Sequence, residues 1–299
     1  MVFPVGVKGV MGVRVSDAEP FYATELEVHN TPQQEAFQML ANLLASAGDI
    51  RYISSIAIIS NTGSLMGVAG FQTTSATTPG YLFTWGLTST TGLAGVSGTA
   101  YGIYFVTNIQ STVAGTVATI ALYDNVTTAF IGVPASPVPV VPGQFIQVSV
   151  AIFAGLTNWS GTITASGVSV TTVTVNQGFL QAIPFIYLPG AILRLSYAGY
   201  NGFVTFLVLG QTDNPPSYPP GYAVYSGSAV FTWSATVTPS FNISTNIIIW
   251  EGYAGGSVVW AGSTTTYSFN ATIQAVLSTT VTFPGGVSHF FTLVATFSQ

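Results

Sequence analysis

Two neighbouring segments, Tyr101-Gly102-Ile103-Tyr104-Phe105-Val106-Thr107 and Thr116-Val117-Ala118-Thr119-Ile120-Ala121-Leu122-Tyr123, decide the fold class. Aromatic and β-branched residues fill a pleated, half-buried surface well, and the Asn, Ser and Gly residues between the two segments mark a turn. The same texture extends in both directions. Upstream it predicts strands at Tyr52–Ser60 and Tyr81–Thr88. Downstream it predicts Gln144–Phe153, Thr162–Val175, Ala191–Ala198, Phe203–Leu209, Ala223–Val237, Asn246–Trp250, Thr264–Thr272 and His289–Phe297. Short strands at regular spacing, with no helices between them, point to sandwiches or barrels and away from βαβ units. The expected fold is all-β: one or two antiparallel, jelly-roll-like β-sandwich domains with an N-terminal strand arm and one short α-helix.

The expected organisation is an arm and helix over residues 1–49, a first sandwich over 50–156 and a second over 157–299. A weak internal repeat links the two halves. Phe83-Thr84-Trp85-Gly86-Leu87-Thr88 returns as Phe231-Thr232-Trp233-Ser234-Ala235-Thr236, and Pro142-Gly143 and Pro284-Gly285 each precede a strand. The helix is placed after Thr31, with Thr31 as its cap, Pro32 in its first turn and Gln34 as capping-box partner. Phe37, Leu40, Leu43 and Leu44 form its apolar stripe, and Gly48 ends it.

Val5, Val7, Val13 and Val15 keep a period of two along the first fifteen residues, with Val10 out of phase. They read as a strand, either of the chain's own sheet or donated to complete a neighbour's sheet. On the second reading, Val5, Val7, Val10, Val13 and Val15 are an assembly arm, and deleting residues 2–15 leaves a folded but unpolymerised protein.

Composition narrows the function. Of 299 residues, 4% are charged, with four basic and nine acidic side chains and a net charge of −5, against about 25% charged in an ordinary soluble domain. Nine of the thirteen charges fall within residues 1–51. After that only Asp124, Arg194, Asp213 and Glu251 carry charge, while the chain holds 39 Thr and 28 Ser. A basic nucleic-acid groove is excluded, because phosphate binding requires Lys and Arg in number. There is no cysteine, hence no disulfide or thiolate site. Mean hydropathy is +0.56, yet the most apolar stretch, Ala129–Leu156, is broken by Pro134, Pro137, Pro139 and Pro142, so no transmembrane helix is expected. Lys8 and Arg14 are not followed by a continuous apolar run of the signal-peptide kind, and the chain is read as not exported by that route.

Candidate chemistry is sparse. His29 and His289 are the only histidines; His29 reads as a loop residue ahead of the helix and His289 as a strand residue at a sheet edge. Asp17, Glu19, Glu25 and Glu27 share a period of two but read as solubilising charges rather than a glycosidase pair. Asp124-Asn125 and Asp213-Asn214 lack the spacing of a calcium loop. No catalytic, metal-binding or cofactor-binding residue is expected. Four sequons, at Asn125, Asn158, Asn242 and Asn270, are candidate glycosylation sites.

Two stretches carry a resemblance. Thr31 to Gly63, with a helix at Glu35–Ala47 leading into Tyr52-Ile53-Ser54-Ser55-Ile56-Ala57-Ile58, resembles the opening of phage tail-fibre and related virion proteins. The close of the chain, Val281-Thr282-Phe283-Pro284-Gly285 followed by an alternating strand to Phe297-Ser298, is similar to the last strand of such proteins. That pattern has a glycine after Ile-Ala-Ile, where this chain reads Ile59-Ser60-Asn61-Thr62-Gly63. The Thr-, Val- and Gly-rich body also resembles surface proteins of hyperthermophilic archaea and their viruses.

The resemblance implies a structural component of an archaeal virus or phage virion, in a filament, fibre or capsid. The composition fits such a role. A β-rich chain with almost no charge lacks the usual guard against edge-to-edge association, and obligate interfaces are apolar and depleted in charge. The expectation is a non-enzymatic, thermostable, self-assembling subunit, located in a virion or outside the cell. Its partners would be copies of itself, other virion proteins or a host receptor, with no nucleic acid, no cofactor and no transmembrane span. The alternatives are a cellular archaeal pilus or surface-layer protein, or a carbohydrate-binding adhesin.

Overall fold

The computed structural model describes residues 4–16, 26–33, 35–36, 39, 52–71, 81–93, 96–124, 127–156, 164–165, 168–185, 187–188, 191–194, 205–208, 211–212, 221–225, 228–238, 241–260 and 263–298. The fold is all-β; one helix, Gln177–Phe185, nine residues long, is described over its whole length.

Among the described residues, the first half holds ten strands: β1 (Pro4–Ser16), β2 (Leu26–Pro32), β3 (Ser55–Ser60), β4 (Leu65–Phe71), β5 (Tyr81–Thr91), β6 (Ser97–Gln110), β7 (Gly115–Tyr123), β8 (Thr128–Pro134), β9 (Val138–Val140) and β10 (Phe145–Leu156). Their pairing closes on itself. β1 pairs with β10, β10 with β6, β6 with β5 and β5 with β4; β4 then pairs with β3, β3 with β7, β7 with β8, β8 with β2, and β2 with β1 again. Every step is antiparallel except the short parallel seam between β4 and β5. Ring closure gives each of these nine strands a partner on both sides over at least part of its length, which shortens the exposed edges that invite uncontrolled pairing. β9 lies along the part of β7 that β8 leaves open, Gly115–Val117.

Cross-strand rows fill the ring. Val13 stands opposite Val148, and Val148 opposite Thr107; Met11 stands opposite Val150, and Val150 opposite Phe105. All six side chains are buried. This is the period-two rule at work: alternate residues of β1, β10 and β6 turn inward together because their register keeps one face in phase.

The second half adds β11 (Thr164–Ala165), β12 (Val168–Val175), β13 (Ala191–Arg194), β14 (Thr205–Val208), β15 (Gln211–Thr212), β16 (Gly221–Tyr225), β17 (Ser228–Val237), β18 (Ile243–Trp260), β19 (Ser263–Phe283) and β20 (His289–Ser298). One layer runs β16–β17–β20. The other is built on the long β18–β19 hairpin, with β12 along β19 and with β13 and β14 along β18. β11 pairs with both β12 and β20 and so carries the chain from one layer to the other. On β19 the odd positions Phe269, Ala271, Ile273, Ala275, Leu277 and Phe283 are buried.

The helix joins the halves. Asn176 caps it: its Oδ1 accepts N–H bonds from Phe179 (2.9 Å) and from Thr272 of β19 (3.0 Å), while its Nδ2 donates to the Asn270 carbonyl (2.6 Å). Phe179, Leu180, Ile183 and Phe185 are buried. Phe185 meets the rings of Tyr267 and Phe269 at 5.2 and 5.4 Å, and Tyr267 in turn meets Trp85 of β5 at 5.7 Å.

Beyond the helix, Tyr187 reaches into the first half. Its hydroxyl donates to the Ala36 carbonyl (3.0 Å), its ring meets Phe130 edge-on at 5.3 Å, and its carbonyl accepts from Ile53 N–H (2.9 Å). Complete burial pushes the phenol well above its usual value of 10.0. Above pH 10 the unfolded chain therefore loses this proton while the folded chain keeps it, so the contribution of Tyr187 to stability is full below pH 10 and declines above it. Tyr187→Phe should cost about 1 kcal/mol at neutral pH, from the lost hydrogen bond to Ala36. The gap from the parent should narrow as pH rises past 10, as read from urea midpoints at pH 7 and pH 11. A gap that stays constant or widens would remove the assigned role.

The structure corrects several expectations. Thr31 and Pro32 do not begin a helix: both belong to β2 and pair with Ile131 and Phe130 of β8. Strand pairing outcompetes the capping signal there, and helical residues start later, at Glu35, Ala36 and Met39. Gln34, Phe37, Leu40, Leu43, Leu44 and Gly48 lie outside the described residues. His29 sits within β2, opposite Val10 and Val133, rather than in a loop.

β1 is no free arm. Twelve of its residues pair with β10, and its other edge meets β2 and, at Pro4–Gly6, β20. Val5, Val7, Val10, Val13 and Val15 thus all lie on a stave of the chain's own ring. The two repeat motifs also occupy unlike places, since β5 and β10 both flank β6 whereas β17 and β20 pair directly.

Candidate assembly surfaces

The registers place three turns at one end of the ring. β1 ends at Ser16, opposite Phe145 at the start of β10, and Phe145 stands opposite Gln110 at the end of β6. Ser60 of β3 pairs with Val117, and Val140 of β9 with Gly115. Turns 61–64, 111–114 and 141–144 therefore converge at the Ser16 end, and none contains a charged residue.

Hydroxyls and amides hold these turns rigid. Ser60 Oγ accepts N–H bonds from Thr62 (3.3 Å) and Ser64 (3.0 Å). Ser111 Oγ donates to the Val113 carbonyl (2.8 Å). Gln144 Oε1 accepts from Val141 N–H (3.0 Å), and Gln110 Nε2 donates to the Gly143 carbonyl (2.9 Å). Backbone bonds tie turn to turn, from Ser111 N–H to Gln144 and from Gly143 N–H to Ser111 (both 2.8 Å). Gly63 (φ 79°) and Gly143 (φ 92°) supply the left-handed backbone that the tight turns require. Leu65 and Val141 project from this end.

A second cluster lies at the end of the sandwich, where β17 passes to β18 and β19 passes to β20. Gly285 N–H donates to Asn242 Oδ1 (2.9 Å), and the hydroxyls of Thr238 and Ser288 bond at 2.8 Å. The connections touch closely enough that a Cβ on Gly285 would lie 2.6 Å from Phe241 Cα. Phe241 and Val287 project here. Among the described residues eight large hydrophobic side chains are exposed; Leu65, Val141, Phe241 and Val287 stand on these two clusters, and Val68, Leu87, Tyr104 and Val133 stand on the strands of the ring.

Among the described residues, those considered for chemistry do not assemble into a site. His289, at the start of β20, places Nε2 3.3 Å from the Pro284 carbonyl and its ring 5.2 Å from Phe283. Asp124 is buried in the β7–β8 turn, where its Oδ1 accepts the Thr127 N–H. Glu27 belongs to β2, opposite Gly12. Asp17, Glu19, Glu25, Asp213 and Asn214 lie outside the described residues, the first three on the connection that leaves β1 at Ser16 and enters β2 at Leu26. Among the described residues, no group of three or more His, Asp or Glu is placed to hold a metal ion, and no helix is long and apolar enough to cross a membrane.

Of the sequons, Asn242 and Asn270 are exposed, and Asn125 and Asn158 lie outside the described residues. The turn clusters could not be located from sequence, because their members are drawn together by pairings between distant strands. A scan against protein-family models finds no match to this chain, and searches of curated proteins and of solved structures find none either.

Proposed function

We propose that the chain is a non-enzymatic, self-assembling structural subunit of an extracellular viral filament, fibre or capsid. The observation that carries this reading is the chemistry of its exposed faces. The outward row of β19, with Thr264, Thr266, Ser268, Asn270, Ser278, Thr280 and Thr282 all exposed, has hydroxyls and amides but no charge, and the two turn clusters add exposed aliphatic and aromatic groups. Surfaces of this kind bury without the desolvation cost of ions, so copies can pack densely. Strand donation by a free arm is not part of the reading, because β1 is engaged within its own ring.

Electron microscopy of native material at pH 7 and pH 3 tests the proposal. With 4% charged residues, contacts made without ion pairs change little with pH, and the same regular polymers are expected at both values. Dispersed monomers at both would refute self-assembly. Polymers present only at pH 7 would show that carboxylates carry the contacts.

A further inference from the structure

Two of the four Asn-x-Ser/Thr triplets fall on described residues, and the fold presents them differently. Asn270-Ala271-Thr272 lies inside β19 and is held on both edges. Its residues pair with Tyr253, Gly252 and Glu251 of β18. On the other edge, Asn176 Nδ2 donates to the Asn270 carbonyl (2.6 Å) and Asn176 Oδ1 accepts the Thr272 N–H (3.0 Å). Asn242-Ile243-Ser244 stands where the chain enters β18. Asn242 precedes the strand; Ile243 turns inward at 6% exposure, while Asn242 and Ser244 are exposed.

The Asn242 amide is also oriented. The Gly285 N–H can only donate, so the atom it meets at 2.9 Å is the carbonyl oxygen Oδ1, and Nδ2 is directed away from that N–H. Among the described residues, Nδ2 has no hydrogen-bond partner. In the same cluster stand Phe241, 51% exposed, and Val287, 48% exposed.

We infer that Asn242 is an N-glycosylation site whose first sugar lies against Phe241. Nδ2 forms a bond to C1 of a sugar carried by a phosphate-activated donor. The C1–O bond to the phosphate breaks, the phosphate leaves with the electron pair, and Nδ2 gives up one proton to a base. Oδ1 is untouched by this step, so the bond from the Gly285 N–H persists in the product. A transferring enzyme must take hold of the amide and of the hydroxyl two residues on. At Asn242 it meets a triplet at the open end of a hairpin, where local opening costs least. At Asn270 it would have to break backbone and side-chain hydrogen bonds on both edges of β19. The face of an aromatic ring is negative and attracts the C–H edges of a sugar, and a sugar seated there shields Phe241 from water. The site does not rest on the self-assembly reading: the outward row of β19 and the Leu65/Val141 turns stay open to contacts between copies.

Mass spectrometry of protein isolated from the organism that makes it tests the inference, with peptides fragmented so that sugars stay attached. A hexose or N-acetylhexosamine mass is expected on Asn242 and none on Asn270. Ser244→Ala should abolish the modification and Ser244→Thr should keep it, which separates loss of the hydroxyl from loss of the fold. An unmodified Asn242, or equal occupancy of Asn242 and Asn270, would overturn the site. The contact with Phe241 is read by a double-mutant cycle. Phe241→Ser should lower the melting temperature further in the glycosylated chain than in the Ser244→Ala chain, which carries no sugar. Equal shifts in the two would overturn the packing of sugar on ring.

Discussion

Removing residues 2–15 should leave a chain that does not fold. The deletion takes out nearly the whole of β1, whose residues pair with twelve positions of β10 on one side and with β2 on the other. Met11 and Val13 are 1% and 0% exposed and stand in the central rows of the ring. Each such side chain contributes about 1.5–3 kcal/mol through burial. Their loss also opens Val148 and Val150 to water and leaves the backbone groups of β10 and β2 without partners, at about 1–3 kcal/mol for each group that stays buried. Summed over one stave, these losses reach the whole stability of an ordinary domain, about 5–15 kcal/mol. The expected result is an insoluble or protease-sensitive product with no cooperative melt by circular dichroism. A soluble truncated chain melting within a few degrees of the parent would show that β1 is dispensable to the ring, and would restore it as a separable arm available to a neighbour. Val13→Asp gives the same contrast in milder form, since it keeps the strand and buries an unpaired charge.

The role of β1 shows where sequence ran out. Its strand character was legible from Val5, Val7, Val13 and Val15, because period two is a local signal. What those valines pair with was not, because the partner lies more than 130 residues away and the closing contacts with β2 and β20 involve segments with signals of their own. Strands such as Tyr81–Thr91, Gly115–Tyr123 and His289–Ser298 fall close to the positions read from composition and turn residues. The β18–β19 hairpin is longer than expected. Gly252, Gly255 and Gly256 continue β18 opposite Ala271, Ser268 and Tyr267. β8 was missed because Pro134 read as a break; in the structure it ends that strand rather than preventing it.

The two helices were legible in unequal measure. Thr31 and Pro32 offered a start signal that β pairing overrode, although Glu35, Ala36 and Met39 of the expected helix are helical. Asn176, with Phe179, Leu180 and Ile183 following at helical spacing, offered a real one that Gly178, Pro184 and the nine-residue length obscured. The turn clusters were invisible in principle. Ser60, Ser111 and Gln144 become neighbours only through the register of six strands.

Gly178 supplies the second large effect, and one whose sign separates two explanations. It occupies the first turn of the Gln177–Phe185 helix. By helix propensity alone, Gly178→Ala should stabilise by up to about 1 kcal/mol. The neighbourhood dictates the reverse. A Cβ at this position would collide with the Asn270 carbonyl oxygen and lie 2.9 Å from the Asn270 carbonyl carbon, and this backbone is fixed within β19. To relieve the clash the helix start must lift away from β19, which stretches the three hydrogen bonds Asn176 makes to Phe179, Thr272 and Asn270. Overpacking of this sort costs about 1–3 kcal/mol, and loss of the cap adds about 0.5–2 kcal/mol. Gly178→Ala should therefore destabilise by about 2–4 kcal/mol in urea unfolding. Asn176→Ala, which removes the cap without the clash, should cost about 1–3 kcal/mol. The near-ultraviolet circular dichroism of the Trp85–Tyr267–Phe185–Phe269 cluster should weaken in both, because those rings meet where the helix holds the two halves together. A Gly178→Ala variant more stable than the parent, with that signal unchanged, would mean that the helix does not rest on β19 as described. The joint that sets one turn cluster relative to the other would then have to lie elsewhere.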